Sequence, residues 1–166
     1  MHSAREPLPG PGPVIIRPAT AADLPAIVAM RDALNDLERA GCPHAAIQRM
    51  TLEEFTAVWG GTLASPTHCW RIVEAGGRPV GFGLIYLVFP QTRSPGAFLH
   101  WAYLDPAYRR QGLGRALLDH LLDWARAAGA QRVELQFIDG NEAAERFWTK
   151  AGFRPFARKC VRYWEG

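Results

Sequence analysis

The chain has 166 residues, of which 48% are hydrophobic, 11% aromatic and 21% charged, the composition of an ordinary globular domain. Those proportions exclude a disordered or fibrous chain, and a domain of about 150 residues hides roughly 70% of the surface its unfolded form exposes, enough for one core without cross-links. The net charge of +3 comes from 19 basic and 16 acidic side chains and is unevenly placed: residues 1–104 hold eight of each, residues 105–166 eleven and eight.

Residues 1–13 are rich in proline and glycine and read as a disordered tail, leaving residues 14–166 as a single domain. Val14 to Arg17 reads as a first strand. Thr20-x-x-Asp23 then has the form of a capping box opening a helix whose apolar face runs Leu24, Ile27, Val28, Leu34. A second box, Thr51-x-x-Glu54, opens a short helix. Two apolar runs, Cys69 to Val73 and Val80 to Phe89, flank Gly76-Gly77, which permits the positive φ angles of a tight antiparallel turn. Pro90 to Gly96 breaks the chain, and Ala97 to Leu104 is an aromatic-rich strand stopped by Asp105-Pro106. From there the apolar period lengthens: Leu113, Leu117, Leu121, Trp124 and Ala128 share one helical face, closed by Gly129. Val133, Leu135 and Phe137 alternate as a strand, Asp139-Gly140-Asn141 turns into a helix ending near Lys150, and Ala157 to Trp164 is a last strand. This order describes an α/β chain, a mixed sheet with helices on its faces.

The longest apolar run, Val80 to Phe89, spans ten residues, about half of the roughly 20 that a membrane helix needs, so no membrane partner is expected. The start of the chain lacks a charged segment followed by an apolar one, which makes a cytoplasmic location the expectation. Cys42, Cys69 and Cys160 are odd in number, far apart and without C-x-x-C spacing, so neither a disulfide framework nor a metal site is indicated.

The stretch that points to chemistry is Arg109-Arg110-Gln111-Gly112-Leu113-Gly114-Arg115, set between a strand and an amphipathic helix. Glycines 112 and 114 let backbone amides approach an anion, and the first turn of the helix aims free N–H groups and the positive end of its dipole at the same place. Three arginines without an acid among them add counter-charge, so the stretch reads as a diphosphate cradle. A dinucleotide fingerprint is excluded because its third glycine is Leu117, and a P-loop because G-K-[ST] is absent.

Arg109-x-x-Gly112-x-Gly114, preceded by Leu104-Asp105-Pro106-Ala107-Tyr108, resembles the [Q/R]-x-x-G-x-[G/A] signature of the GNAT family of N-acetyltransferases. Downstream, Asn141-x-x-Ala144-x-x-Phe147-Trp148-x-Lys150-x-Gly152-Phe153 is similar to that family's second pattern, so the resemblance spans roughly residues 14–164. It implies a mixed, mostly antiparallel central sheet flanked by helices on both faces, and acetyl-coenzyme A as cosubstrate without a metal. The carrier is expected in a wedge between the strand ending at Leu104 and the strand at residues 133–138. Backbone groups of Ala102, Tyr103 and Leu104 are expected on its pantetheine arm. The Arg109 and Arg110 side chains and the amides of Gln111, Gly112, Leu113, Gly114 and Arg115 are expected on its pyrophosphate. Asn141 either positions the arm or caps its helix, and Trp148 packs beside the thioester.

Acetyl transfer to an amine needs a neutral amine, donors for the oxyanion and a fate for the thiolate. His100, four residues before Leu104, has an ordinary pKa of about 6.5 that suits a general base at neutral pH. The alternative is a histidine between Phe98 and Trp101 that satisfies a backbone carbonyl. The resemblance implies the Leu104 N–H as oxyanion donor. It also shows a departure: Trp148 stands where many relatives carry a tyrosine acid, although a thiol of pKa about 8.5 leaves tolerably without one. The expected function is acetyl transfer to a primary amine of a small molecule or peptide. The alternative is a non-catalytic acyl-coenzyme A sensor. Nucleic acid is not an expected partner, because the arginines gather at one helix start and the excess charge is small. A homodimer formed by edge pairing of Arg158 to Trp164 is a further expectation.

Overall fold

The computed structural model describes residues 12–42, 49–89, 94–157, 160 and 162. Strand β1 (Val14–Pro18) leads through a 3₁₀ turn (Ala21–Asp23) into helix α1 (Leu24–Gly41). The junction is held by charge. Thr20 donates to Asp23 from its amide at 2.8 Å and from its hydroxyl at 3.0 Å. The Arg17 guanidinium meets both Asp23 oxygens at 2.8 Å, while its Nε donates to Glu74 at 2.8 Å. Helix α2 (Leu52–Trp59) starts as its sequence predicts: the Glu54 amide donates to the Thr51 hydroxyl and the Thr51 amide to the Glu54 carboxylate.

Strands β2 (His68–Ala75) and β3 (Arg78–Val88) form the expected hairpin, with Gly76 and Gly77 at φ +56° and +77°. β4 (Gly96–Leu104), α3 (Leu113–Ala127), β5 (Arg132–Leu135) and α4 (Glu142–Lys150) complete the described elements. The sheet runs β1-β2-β3-β4-β5, antiparallel throughout except that β5 lies parallel to β4. β5 is shorter than its alternating pattern predicts, because pairing to β4 stops at Leu135 and Phe137 is already half in solvent. Of the last predicted strand only Ala157, Cys160 and Arg162 are described, none of them in a strand. The remainder, with the edge proposed for a homodimer, lies outside the described residues.

Both faces of the sheet are apolar, which is why helices cover both. Leu117, Leu118, Leu121 and Ala125 of α3 pack on Val73, Ile85, Ala97 and Leu99. Leu24, Ile27 and Phe55 of α1 and α2 pack on Trp70, Ile72, Phe82, Leu84 and Tyr103. Gly83 is bare because α3 lies directly above it: a Cβ there would stand 2.6 Å from Leu121 Cδ1. No helix among the described residues is long and apolar enough to cross a membrane.

Candidate functional site

β4 and β5 pair from Gly96–Arg132 to Leu99–Leu135 and no further, yet β4 continues to Leu104. The sheet therefore splits after Leu99, and among the described residues the far half of β4 has a partner strand on one side only. Which backbone groups face the opening follows from the antiparallel alternation on the other side. Asp105 N–H donates to Val80 at 2.8 Å, and a Cβ on Gly81 would meet the Tyr103 carbonyl at 2.8 Å, so Tyr103 and Asp105 turn their backbone toward β3. Ala102 and Leu104, one residue out of phase, turn theirs into the split. Tyr103 thus departs from the expectation that all three residues present backbone groups to a ligand.

The split ends at the predicted cradle. After a 3₁₀ turn (Pro106–Tyr108), Arg110 adopts φ +61° and Gly112 φ +82°, two left-handed residues two positions apart that curl the chain into a concave loop. α3 then starts with its first bond from Ala116 N–H to the Gly112 carbonyl, so the amides of Leu113, Gly114 and Arg115 are left over by the helix and project from its positive end. Nothing lies within 4 Å of the place a Gly112 Cβ would occupy, while a Gly114 Cβ would stand 3.7 Å from the Phe147 ring of α4. Gly112 gives an anion its room; Gly114 lets α4 approach.

The arginines are placed differently from the expectation that all counter-charge the cradle. Arg109 folds back: its Nε donates to the Leu104 carbonyl at 2.9 Å and its guanidinium carbon lies 5.9 Å from the Tyr103 ring. Arg115 pairs with Asp119 at 2.8 Å on the outer face of α3. Arg110 is exposed at the rim of the loop. Gln111 tightens the same loop by donating its side-chain amide to the Ala107 carbonyl at 3.2 Å. Of the two readings of Asn141, the structure displays the cap: its Oδ1 accepts from Ala144 N–H at 3.0 Å. Trp148 stands edge-on to Phe147 and Phe153, with ring centres 4.8 and 5.6 Å away, packed against the α3 side of the core.

His100 is the first β4 residue beyond the paired stretch, and a bulge decides which way it faces. Leu84 stands opposite Trp101 and Ile85 opposite Leu99, so His100 is the extra residue with no partner across β3. The bulge lets consecutive side chains, His100 and Trp101, meet the same cover, α2. The imidazole centre lies 4.3 Å from Trp101, 5.1 Å from Trp59, 5.8 Å from Tyr86 and 6.0 Å from Phe98. Its Nδ1 is buried and has no hydrogen-bond partner, which disfavours the alternative in which it serves a backbone carbonyl. Burial, and then the positive charge of Arg31, push its pKa below the ordinary imidazole value, so it is neutral and able to accept a proton at neutral pH. Sequence reasoning missed Arg31. It sits on the apolar face of α1 at 6% exposure, with its guanidinium carbon 5.9 Å from the Phe55 ring and 5.8 Å from Trp101. The signal was present: Arg31 and Asn35 continue the i, i+4 spacing of Ile27 and are buried with it. Among the described residues no three His, Cys, Asp or Glu side chains gather as metal ligands.

A parallel strand pair that parts beside a left-handed loop and a helix start is an arrangement able to accept an extended ligand with an anionic end. Residues 28–153 match the Acetyltransferase (GNAT) family, and the chain belongs to it. It is 32% identical over 119 residues to the mycothiol acetyltransferase of Beutenbergia cavernae, covering 72% of this chain and 39% of that protein. It is 29% identical over 94 residues to the thialysine N-epsilon-acetyltransferase of Sus scrofa, covering 52% and 55%. The chain thus spans about half the length of the curated relatives it matches. Among solved structures, an aminoglycoside N-acetyltransferase in complex with CoA superposes with a TM-score of 0.71 at 18% identity, over 95% of this chain and 98% of that one, a likeness of fold.

Proposed function

We propose that the protein transfers an acetyl group from acetyl-coenzyme A to a primary amine of a small molecule or peptide. The observation that carries this reading is the continuity of the β4/β5 split with the loop at Arg110–Gly112: an open strand edge for an amide-bearing arm runs into amides and a helix start for a diphosphate. The residues fit the carrier, since the cradle has space where a Gly112 Cβ would stand and Ala102 and Leu104 turn backbone groups into the split. When bound there, acetyl-coenzyme A supplies a thioester whose acetyl carbon bonds to the amine nitrogen as its C–S bond breaks, releasing the thiol.

The chain's own groups do the rest. The neutral His100 imidazole takes a proton from the incoming ammonium, leaving the amine lone pair free to attack. The Leu104 N–H, directed into the split, donates to the carbonyl oxygen as it becomes negative. Trp148, an indole donor without useful acidity, leaves the thiolate to take its proton from solvent or from the acetylated nitrogen. That absence of an acid favours the second reading, a sensor that binds the acyl carrier without turnover. Free-thiol release from acetyl-coenzyme A across an amine panel decides between them: amine-dependent release supports the transferase, and tight binding with no release supports the sensor. The free cysteines Cys42, Cys69 and Cys160 fit a reducing, cytoplasmic setting.

A further inference from the structure

On the α1/α2 face the sheet carries cross-strand rows. Ile72, Phe82 and Tyr103 make one and are buried; Trp70, Leu84 and Trp101 make the next, under Phe55. The third row, His68, Tyr86 and Phe98, is half-buried throughout, and it is a ladder of rings. His68 stacks on Tyr86 with centres 5.3 Å apart and planes 30° apart, and Tyr86 lies 5.8 Å from Phe98. His100 touches Tyr86 and Phe98 of this row, and Trp59 of α2 lies against His100. Three strands and a helix have thus placed flat apolar surface around the one imidazole that stands at the split.

The charge of the place is as informative as its shape. His68 is tied by Nδ1 to the Thr67 and Ser65 hydroxyls at 3.0 and 3.2 Å and is pushed toward its neutral form by burial, as His100 is. Burial raises the Tyr86 phenol, keeping it protonated. The nearby fixed charge is the Arg31 cation, whose neighbouring carboxylate Asp32 lies 3.7 Å from it. Arg31 lies against Trp101, which the His100 ring also touches, and its charge acts on His100, so a second ammonium on an acceptor would approach a like charge.

We infer that the row His68–Tyr86–Phe98, with Trp59, is the acceptor subsite, and that it takes a primary amine borne on a flat aromatic body with no second positive charge. This rests on the acetyl-transfer reading and narrows its substrate class. Rings arranged in offset and edge contacts favour another ring by about 0.5 to 1.5 kcal/mol beyond area, a preference of roughly two- to twelvefold over an alkyl chain of similar size.

The test measures kcat/KM for 2-phenylethylamine, hexylamine, spermidine and kanamycin in the wild type and in Tyr86→Leu and Phe98→Leu, with coenzyme A affinity and thermal melting confirming that each variant is folded. The aryl amine should exceed hexylamine by roughly two- to twelvefold and the two polycations by more, and the aryl-to-alkyl ratio should fall toward one in both variants. Equal turnover of the aryl and alkyl amines, preference for a polycation, or a ratio that survives both substitutions overturns the subsite. Failure of every amine to release thiol overturns the transferase reading instead.

Discussion

Arg109 Nε donates to the Leu104 carbonyl at 2.9 Å, joining the last residue of β4 to the loop that begins the cradle. The two halves of the proposed carrier site are therefore tied by a charged hydrogen bond, with the guanidinium braced on the Tyr103 ring. Replacing Arg109 by Met removes both contacts. A charge-assisted bond contributes about 1.5 kcal/mol, so the Kd for coenzyme A should rise roughly tenfold. Calorimetric titration gives the answer directly, and an unchanged Kd would show that the loop keeps its place without this tie.

Gly112 faces open space at φ +82°. Gly112→Val puts a branched side chain into the space above the amides and should abolish coenzyme A binding. Gly129, at φ +89° beyond the other end of α3 and equally open, is the control. Gly129→Val carries similar backbone strain, about 1 to 3 kcal/mol, and should retain binding. Equal loss of binding in both variants would assign the effect to stability.

His100→Gln should lower kcat/KM by about 10² to 10⁴, the usual worth of a positioned base, while coenzyme A still binds. In the wild type the base form is lost as pH falls through a pKa set below the ordinary imidazole value by burial and Arg31. Activity should therefore decline only on the acid side of about 6.5. That acid limb should vanish in the variant; its persistence would move the role to another group.

Arg31→Met removes the positive charge that contributes to the His100 shift. Burial continues to hold the pKa down, but the acid limb of kcat/KM should move toward higher pH relative to wild type. A limb that stays in place, or moves to lower pH, means that Arg31 does not act on His100.

The Arg17 fork and the Thr20 donors hold the Asp23 carboxyl down at about 2 from an ordinary 3.8. The folded pKa is depressed, so this contribution to stability is complete above the unfolded value and is lost as pH falls through about 2. Asp23→Asn should cost roughly 2 kcal/mol at neutral pH and flatten the acid end of the stability curve. Urea melts from pH 2 to 7 would show both effects.

What the sequence disclosed, and what it withheld, divides along a physical line. Thr51 and Glu54, Gly76-Gly77 and the α3 stripe act on neighbours within a few residues, so their spacing alone carries the signal. The bulge at His100 does not, because it exists only in the pairing of β4 with β3, and without it the alternation of Phe98 to Tyr103 misplaces a face. Arg109 and Arg115 looked alike in a run of basic residues, yet one reaches back to Leu104 and the other pairs with Asp119, a difference made by helix geometry and strand ends. Arg31 shares the spacing of Ile27, but the partners of its guanidinium, Phe55 from α2 and Trp101 from the sheet, are brought to it only by tertiary packing.

The parting of β4 from β5 after Leu99 leaves the Ala102 and Leu104 amides without a strand partner on that side among the described residues. A carrier arm lying there is a sixth strand supplied from outside, and it belongs to the folding equilibrium as much as to catalysis. At a carrier concentration a hundred times its Kd the folded state gains about 2.7 kcal/mol, a large fraction of what a domain this size has to spare. Hydrogen exchange at the Ala102 and Leu104 amides should then slow as the carrier concentration rises.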